Sequence, residues 1–160
     1  MKFSLSREAL LKPLQLVIGV VERRQTLPIL SNVLFSLSDK NLSITGTDLE
    51  VEIVGLTAVS DSEAEGSVTI SARKTLDICR SLPEGATLKF SSSEGKASIQ
   101  SGKSKFMLST LPASEFPTVD EGEKSLEFSV SGKDLQKLIE STSFAMAQQD
   151  VRYYLNGMLW

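Results

Sequence analysis

Histidine is absent from this chain of 160 residues, and Cys79 is its only cysteine. These absences exclude a Ser-His-Asp or Cys-His catalytic pair and a zinc site made of cysteine and histidine. One cysteine cannot form an internal disulfide, which favours a reducing, cytoplasmic location. Cys79 itself falls on the apolar side of a predicted helix, so we expect it in the core. Acid–base chemistry by Asp, Glu or Lys remains open.

Long apolar runs are also missing. No stretch of about 18 apolar residues occurs, so the sequence predicts no membrane span. Met1 leads straight into a strand-like alternation, without the order of charges and apolar residues that marks a signal peptide. The apolar fraction of 41% is enough for a core, and the net charge is −3. A nucleic-acid surface would therefore need basic side chains gathered on one face.

An internal repeat organises the chain. Residues 126–139 follow the pattern of residues 1–14 at a constant offset, so that Phe3 corresponds to Phe128 and Leu10 to Leu135. So long an offset indicates a duplicated domain, because solenoid repeats have periods of at most about 50 residues. We predict one complete domain over residues 1–122 and the truncated beginning of a second over residues 123–160.

Periodicity predicts an α+β domain. A strand over residues 1–5 precedes a helix capped by Ser6, and a second helix runs from Ser71 to about residue 82. Short strands are predicted at residues 32–37, 42–45, 48–56, 67–70, 87–91, 97–100, 105–109, 126–130 and 151–160, with a turn at 61–66. Such runs of strands favour antiparallel pairing.

Several short strings occur in a specific order along the chain. They are MKF (1–3), RE (7–8), LLKPL (10–14), TLPIL (26–30), TGTDLE (45–50), ARK (72–74), DICR (77–80), LPEG (82–85), STLP (109–112) and QDVRYYLNG (149–157). Together they resemble the beta subunit of bacterial DNA polymerase III, the DNA sliding clamp, over essentially the whole chain. Each string alone is weak evidence, but their order makes the resemblance specific.

The resemblance implies a DNA clamp fold, with antiparallel sheets outside and two helices per domain on the inner face. A family subunit has three such domains, and two subunits close head-to-tail around duplex DNA. The implied function is that of a replicase processivity factor, not an enzyme and without a cofactor. Implied partners are the polymerase III catalytic subunit, the clamp loader, repair polymerases and ligase, reached through short linear peptides. This chain alone lacks the domains needed to close the ring.

The resemblance also implies DNA contacts. Basic residues on the inner helices suit weak phosphate contacts, and two loops and an aromatic pair match DNA-contacting positions of the family. The candidates are Lys12, Arg24, Arg73, Arg80, Gln149, Tyr153 and Tyr154. The plainer alternative is that the helix charges are ordinary solvated residues and that the tyrosines pack in a sheet.

Two protein-binding surfaces are implied as well. One wall of the peptide pocket matches Arg152, Tyr154 and Leu155. The family's subunit interface, where acids of the neighbour's third domain pair with basic residues, matches Lys74, Lys96, Lys103, Lys105, Phe106 and Leu108. Lysines on strand edges often serve only to deter aggregation, which is the alternative for this second set.

Two other functions stay open. A carboxylate-metal hydrolase could use Asp48, Glu50 and Glu52, which alternate onto one face of a predicted strand, although a solvated sheet face is the simpler reading. A β-rich adaptor that binds only proteins would show no salt-dependent affinity for DNA.

Overall fold

In the computed structural model, strand β1 (Lys2–Ser6) leads directly into helix α1 (Arg7–Val17). The structure describes residues 1–21, 27–118 and 127–159. As predicted, Ser6 caps the helix, its Oγ accepting a hydrogen bond from the Ala9 amide at 3.2 Å. Leu10, Leu14 and Val17 form the buried stripe of α1.

Antiparallel strands make up most of the remaining structure of the first of two compact units, Met1–Asp120. They are β2 (Asn32–Ser38), β3 (Asn41–Thr47), β4 (Glu52–Ala58), β5 (Asp61–Ala64), β6 (Gly66–Ser71), β7 (Thr87–Ser93), β8 (Lys96–Ser101) and β9 (Ser104–Leu111). Their order across the sheet is β4-β3-β2-β6-β9-β8-β7-β1-β5. Two ladders meet at the β6–β9 pair, which is limited to Thr69 with Leu111 and Ile70 with Thr110.

Helix α2 (Ala72–Ser81) packs beside α1, and α1 also covers β3 and β4. Ser71 stands at the N-cap position, but its side chain makes no capping bond; its carbonyl instead accepts from Thr75 Oγ1 at 2.8 Å. The core between helices and sheet includes Phe35 and Phe90, whose ring centroids lie 5.6 Å apart. None of the helices within the described ranges is long and apolar enough to cross a membrane.

Two local predictions for this unit are wrong. Residues 61–64 form strand β5 and not a turn, because they pair with β1 from Phe3 opposite Ser62 to Ser4 opposite Asp61. Residues 48–51 form a turn and not the start of a strand. The Asp48 carboxylate accepts hydrogen bonds from the amides of Glu50 and Val51, and Leu49 has φ 80°.

The second unit, Glu121–Trp160, contains helix α3 (Gly132–Thr142). Ser131 caps it as Ser6 caps α1, accepting from the Asp134 amide at 3.1 Å. The strand predicted over 126–130 is absent from 127–130, and the strand predicted over 151–160 is wrong: a 3₁₀ helix occupies Tyr153–Asn156. The other short 3₁₀ helices of the described chain are Ile18–Val20, Pro28–Ser31, Ala113–Glu115 and Ser143–Ala145.

Candidate functional site

Helices α1 and α2 run antiparallel, and side chains at both ends hold them together. Near the start of α1, Arg7 Nε donates to the carbonyl of Cys79 in the last turn of α2, at 2.7 Å. Near the start of α2, an Arg73 guanidinium nitrogen donates to the carbonyl of Val21, which follows α1, at 3.2 Å. The exposed side of this pair carries charges of both signs: Lys12, Lys74 and Arg80 with Glu8 and Asp77.

The three predicted helix contacts to DNA therefore differ in their surroundings. Lys12 and Arg80 are exposed. Arg73 is half-buried, gives one donor to Val21, and has a buried Nε without a hydrogen-bond partner in the described part of the chain. Arg24 lies outside the described residues. The side chains of Lys12 and Arg80 are thus open to solvent, whereas Arg73 already makes an internal hydrogen bond.

Arg7 and Glu8, which carried no predicted role, connect α1 to the segment after α2. Glu8 Oε1 accepts from the Gly85 amide at 3.1 Å and from the Arg7 guanidinium at 3.0 Å. These hydrogen bonds, with that from Gly85 the largest cause, hold the pKa of Glu8 below its ordinary value. Glu8 is therefore ionised at neutral pH and offsets part of the positive charge beside it. In the sequence, the adjacent Arg7-Glu8 string was the signal that could have identified these two residues.

The predicted interface residues surround strand β9. Lys103 lies in the hairpin turn between β8 and β9, and Lys105 and Lys96 stand on the strand face that points away from the core. Lys74 on α2 lines a groove with β9 residues 108–111. All four lysines are exposed. Within the described residues, β9 has no partner strand along Ser104–Ser109 on the side opposite β8.

The two apolar members of that set belong mostly to the unit's own core. Leu108 is 8% exposed and lies in the main cluster, and Phe106 is half-buried against it. Met107, on the opposite strand face, is 57% exposed. Any partner on this edge would therefore meet Met107 and the β9 backbone as well as the rims of Phe106 and Leu108.

In the second unit, Asp150 fixes the loop that carries the remaining candidates. Its carboxylate forms a bidentate ion pair with the Arg152 guanidinium, in which each oxygen accepts one hydrogen bond of 3.0 Å. The same carboxylate also accepts a hydrogen bond from the Arg152 backbone amide at 2.8 Å. The Arg152 side chain is the main cause that lowers the pKa of Asp150, and Asp150 in turn raises that of Arg152. Asn156 closes the loop through bonds to the Asp150 backbone.

That loop presents its predicted contact residues to solvent. Gln149 is exposed and has φ 58°, a left-handed conformation. Tyr153 and Tyr154 are 83% and 67% exposed, with ring centroids 6.0 Å apart in an edge-to-face arrangement. Leu155 is half-buried. The alternative that these tyrosines pack in a sheet is wrong, since their segment is not a strand.

One face of α3 is apolar and lines an open groove of about 460 Å³. By the internal repeat, Leu135 and Ile139 in this groove correspond to Leu10 and Leu14, which α1 buries against the sheet. This face of α3 therefore corresponds to the face of α1 that packs against strands in the first unit.

The proposed carboxylate site does not form. Asp48 and Glu50 lie in the turn before β4 and Glu52 begins the strand, so the three do not share a strand face. No group of three or more acids, cysteines or histidines that could hold a metal occurs in the described ranges. Cys79 is fully buried, and burial raises the pKa of its thiol to about 11, as expected of a core residue.

Solved structures identify the class of this fold as that of the sliding clamps. A crystal structure of a sliding clamp from Pseudomonas aeruginosa bound to griselimycin superimposes with a TM-score of 0.94 at 59% identity, over 99% of this chain and 43% of that one. The pol III beta of Caulobacter crescentus gives a TM-score of 0.93 at 41% identity, over 98% of this chain and 42% of that one.

Residues 1–120 match the family model described as the DNA polymerase III beta subunit, N-terminal domain, and the chain belongs to this family. The family is not catalytic. Relatives named beta sliding clamp include that of Pseudomonas aeruginosa, 59% identical over 159 residues, and that of Escherichia coli K12, 50% identical over 160 residues. The chain spans 43% and 44% of the length of these two relatives.

Proposed function

We propose that this chain forms the N-terminal region of a processivity clamp of a bacterial replicase, a head-to-tail dimeric ring that encircles duplex DNA. The observation that carries the proposal is the exposed side of the antiparallel α1–α2 pair, which carries charges of both signs. Membership of the sliding-clamp family over residues 1–120 supports the same function.

A sliding ring must attract phosphates weakly and ignore base sequence. Contacts to phosphate carry no sequence information, and each one adds to affinity and to its salt dependence. On the α1–α2 pair, Glu8 and Asp77 offset Lys12, Lys74 and Arg80, so this face attracts DNA less than a uniformly basic one. In this proposal Lys12 and Arg80 are the mobile phosphate contacts of the helices.

The loops add further contacts to nucleic acid. Arg24 and Gln149 donate hydrogen bonds to the DNA backbone or to a groove. Arg73 adds a phosphate contact only through the guanidinium N–H groups that do not bind the Val21 carbonyl. The exposed rings of Tyr153 and Tyr154 are available to stack on bases of a single-stranded template.

Protein partners would use the surfaces around β9 and the Asp150 loop. Lys74, Lys96, Lys103 and Lys105 beside the open edge of β9 support its role as the subunit interface, with acids of the neighbouring subunit opposite. Arg152, Tyr154 and Leu155 form one wall of a pocket for short linear peptides of the polymerase, the clamp loader, repair polymerases and ligase. The Asp150 ion pair holds that wall in place.

We further propose that residues from 123 onward begin a second clamp domain. Helix α3 has the same length as α1. Each helix follows a capping serine, whose Oγ accepts a hydrogen bond from the backbone amide three residues later. The apolar groove of α3 corresponds to the buried face of α1. The second domain would cover this groove with strands, as β3 and β4 cover α1.

Topological retention on DNA tests the proposed function. A chimaera carries residues 1–159 of this chain in place of the matched segment of the Pseudomonas aeruginosa relative. It is loaded onto circular duplex DNA by that organism's clamp loader, and retention is compared before and after the circle is cut, at about 0.15 M salt. The unaltered relative is the control. We expect the chimaera to be retained on circles and lost from linear DNA.

Equal retention on both forms would contradict encirclement, as would failure to load under conditions in which the control loads. A protein-only adaptor would show no DNA retention on either form. A second chimaera with Lys103→Glu and Lys105→Glu should lose retention on circles, because reversed charge at the β9 edge repels the acids of its neighbour.

A further inference from the structure

We propose that a groove on the outer face of the first unit's sheet, the face opposite the core, binds an extended segment of a partner protein. In this segment an acidic and a basic residue stand about three positions apart. The groove has a volume of about 250 Å³ and crosses strands β8, β7, β1 and β5. None of the residues that line it contributes to the DNA contacts or to the protein-binding surfaces proposed above, so it is a separate site.

One row of side chains crosses all four strands of this groove. The register of the strands places Gln100 opposite Lys89 and Lys89 opposite Ser4. On the next strand, Asp61 lies opposite Ser4. Residues directly opposite each other on neighbouring strands share a sheet face. The row therefore holds an amide, an ammonium group, a hydroxyl group and a carboxylate, in that order across the sheet.

The two charged members of the row are unpaired. Lys89 and Asp61 are exposed, and within the described residues neither side chain makes an ion pair or a hydrogen bond. Beside the row, Lys2 donates to Glu63 at 2.6 Å, so these two side chains neutralise each other. A ligand in the groove therefore meets Lys89 and Asp61 without first breaking an ion pair.

The distance between these two charges sets the spacing of the ligand. Lys89 and Asp61 stand on strands that are separated by β1, which places their backbones about 10 Å apart. An extended peptide advances by about 3.3 Å per residue, so its acid over Lys89 and its base over Asp61 are about three positions apart. Between them, the Ser4 hydroxyl can bond the peptide backbone, and the Gln100 amide offers a donor and an acceptor beyond Lys89.

The same charges disfavour nucleic acid as the occupant. A nucleic acid carries a negative phosphate at every nucleotide, so a strand that follows the row brings phosphates close to Asp61 and Glu63. Single strands also bind by stacking bases on exposed aromatic rings. The rings that alternate with the row, Phe3 and Phe90, are 3% and 2% exposed and belong to the core. A protein segment with charges of both signs fits the groove better.

Selection from a phage library of random peptides on the whole chain tests the proposal, with Lys89→Glu as the counter-target. We expect enrichment of peptides with an acid and a base about three positions apart. Fluorescence anisotropy of a selected peptide should show at least about fivefold weaker binding to Lys89→Glu, because an attraction becomes a repulsion. Lys133→Glu, at an exposed lysine of α3, makes the same change in net charge and should leave the affinity unaltered.

Charge reversal on both sides of the contact gives the decisive result. A peptide whose acid is replaced by lysine should bind Lys89→Glu better than it binds the parent chain. A peptide whose base is replaced by glutamate should likewise prefer Asp61→Lys. Both side chains are exposed, so both variants should fold. If one variant proves unfolded by circular dichroism, the variant at the other end of the row decides.

Selection that enriches no such pair of charges would overturn the proposal. It would also be overturned by a selected peptide that binds Lys89→Glu as well as the parent chain, or by reversed peptides that gain nothing on the reversed variants. Oligothymidylate is the second probe. If it displaces the selected peptide and itself binds Lys89→Glu more weakly, the groove is a nucleic-acid site and the proposal is wrong. None of these results bears on whether the chimaera encircles DNA, so the two proposals fail separately.

Discussion

Pro13 of α1 lies directly against Gly55 of β4. A Cβ built on Gly55 would stand 2.7 Å from Pro13 Cβ and 3.0 Å from Pro13 Cα, closer than carbon atoms approach without movement. The buried Pro13 therefore packs directly against the strand, and only a glycine at position 55 leaves room for the proline ring. This close approach fixes the distance between α1 and the sheet.

Gly55→Ala should destabilise the first unit by about 1–3 kcal/mol, because the added methyl group forces the helix or the strand to shift. Gly19→Ala is the matched control, since nothing lies within 4 Å of a Cβ at that exposed site. It should change stability by less than about 1 kcal/mol, in the stabilising direction. Urea unfolding of both variants measures the difference, and equal effects would contradict the packing described here.

Substitutions of Arg80 and of Arg73 should have different effects, because we propose that Arg80 contacts DNA, whereas Arg73 also supports the fold. Arg80→Ala, like Lys12→Ala, should lower the slope of log affinity against log salt by about one, the effect of losing one phosphate contact. Arg73→Ala should lower the slope less and the unfolding midpoint more, because its guanidinium already binds the Val21 carbonyl. Fluorescence anisotropy with a short duplex and thermal melts supply the two readouts. An Arg73→Ala slope change equal to that of Arg80→Ala, with unchanged melting, would contradict this division.

Glu8 should make stability depend on pH in the acid range. Its pKa is lowered in the folded state, so the unfolded chain takes up the proton first, and the stabilisation present at neutral pH is lost as the pH falls below about 4.5 through the lowered value. Glu8→Gln should therefore reduce the urea midpoint at about pH 7 more than at about pH 3. Glu94→Gln, at an exposed glutamate in the β7–β8 turn, is the control. An equal effect of Glu8→Gln at both pH values would show that its ionisation contributes nothing.

Local chemistry made several elements predictable. Ser6 and Ser131 cap helices as their positions before apolar stripes indicate, and the polar residues between β2 and β3 mark a hairpin whose Asp39 and Lys40 take positive φ. Antiparallel pairing and the core position of Cys79 also follow from the pattern of residues.

The elements that were missed depend on distant partners. Strand β5 contains acids that are rare in strands and exists because β1 lies beside it. Alternation at residues 48–51 indicated a strand, but the Asp48 side chain bonds two local amides and makes a turn instead. Residues 151–159 have β-forming composition, and the Asp150–Arg152 pair with Asn156 bends them into a loop.

The candidate site shows the same limit. The sequence indicated Lys12, Arg73 and Arg80 as equivalent helix cations, whereas the tertiary structure distinguishes Arg73, which is half-buried and donates to the Val21 carbonyl. The hydrogen bond from Arg7 to Cys79 joins residues that are 72 positions apart, a pairing that periodicity cannot reveal.

Cys79 should resist alkylation as long as the first unit is folded. Its side chain is fully buried and burial raises the pKa of its thiol to about 11, so both access and thiolate formation are suppressed. Iodoacetamide labelling at about pH 8 should follow the fraction unfolded as urea is added. Cys79→Ala should cost less stability than Cys79→Ser, because the serine variant buries a hydroxyl at a cost of about 1–3 kcal/mol if it finds no partner. Rapid labelling of the native chain would show instead that the α2 face around Cys79 opens locally, without global unfolding.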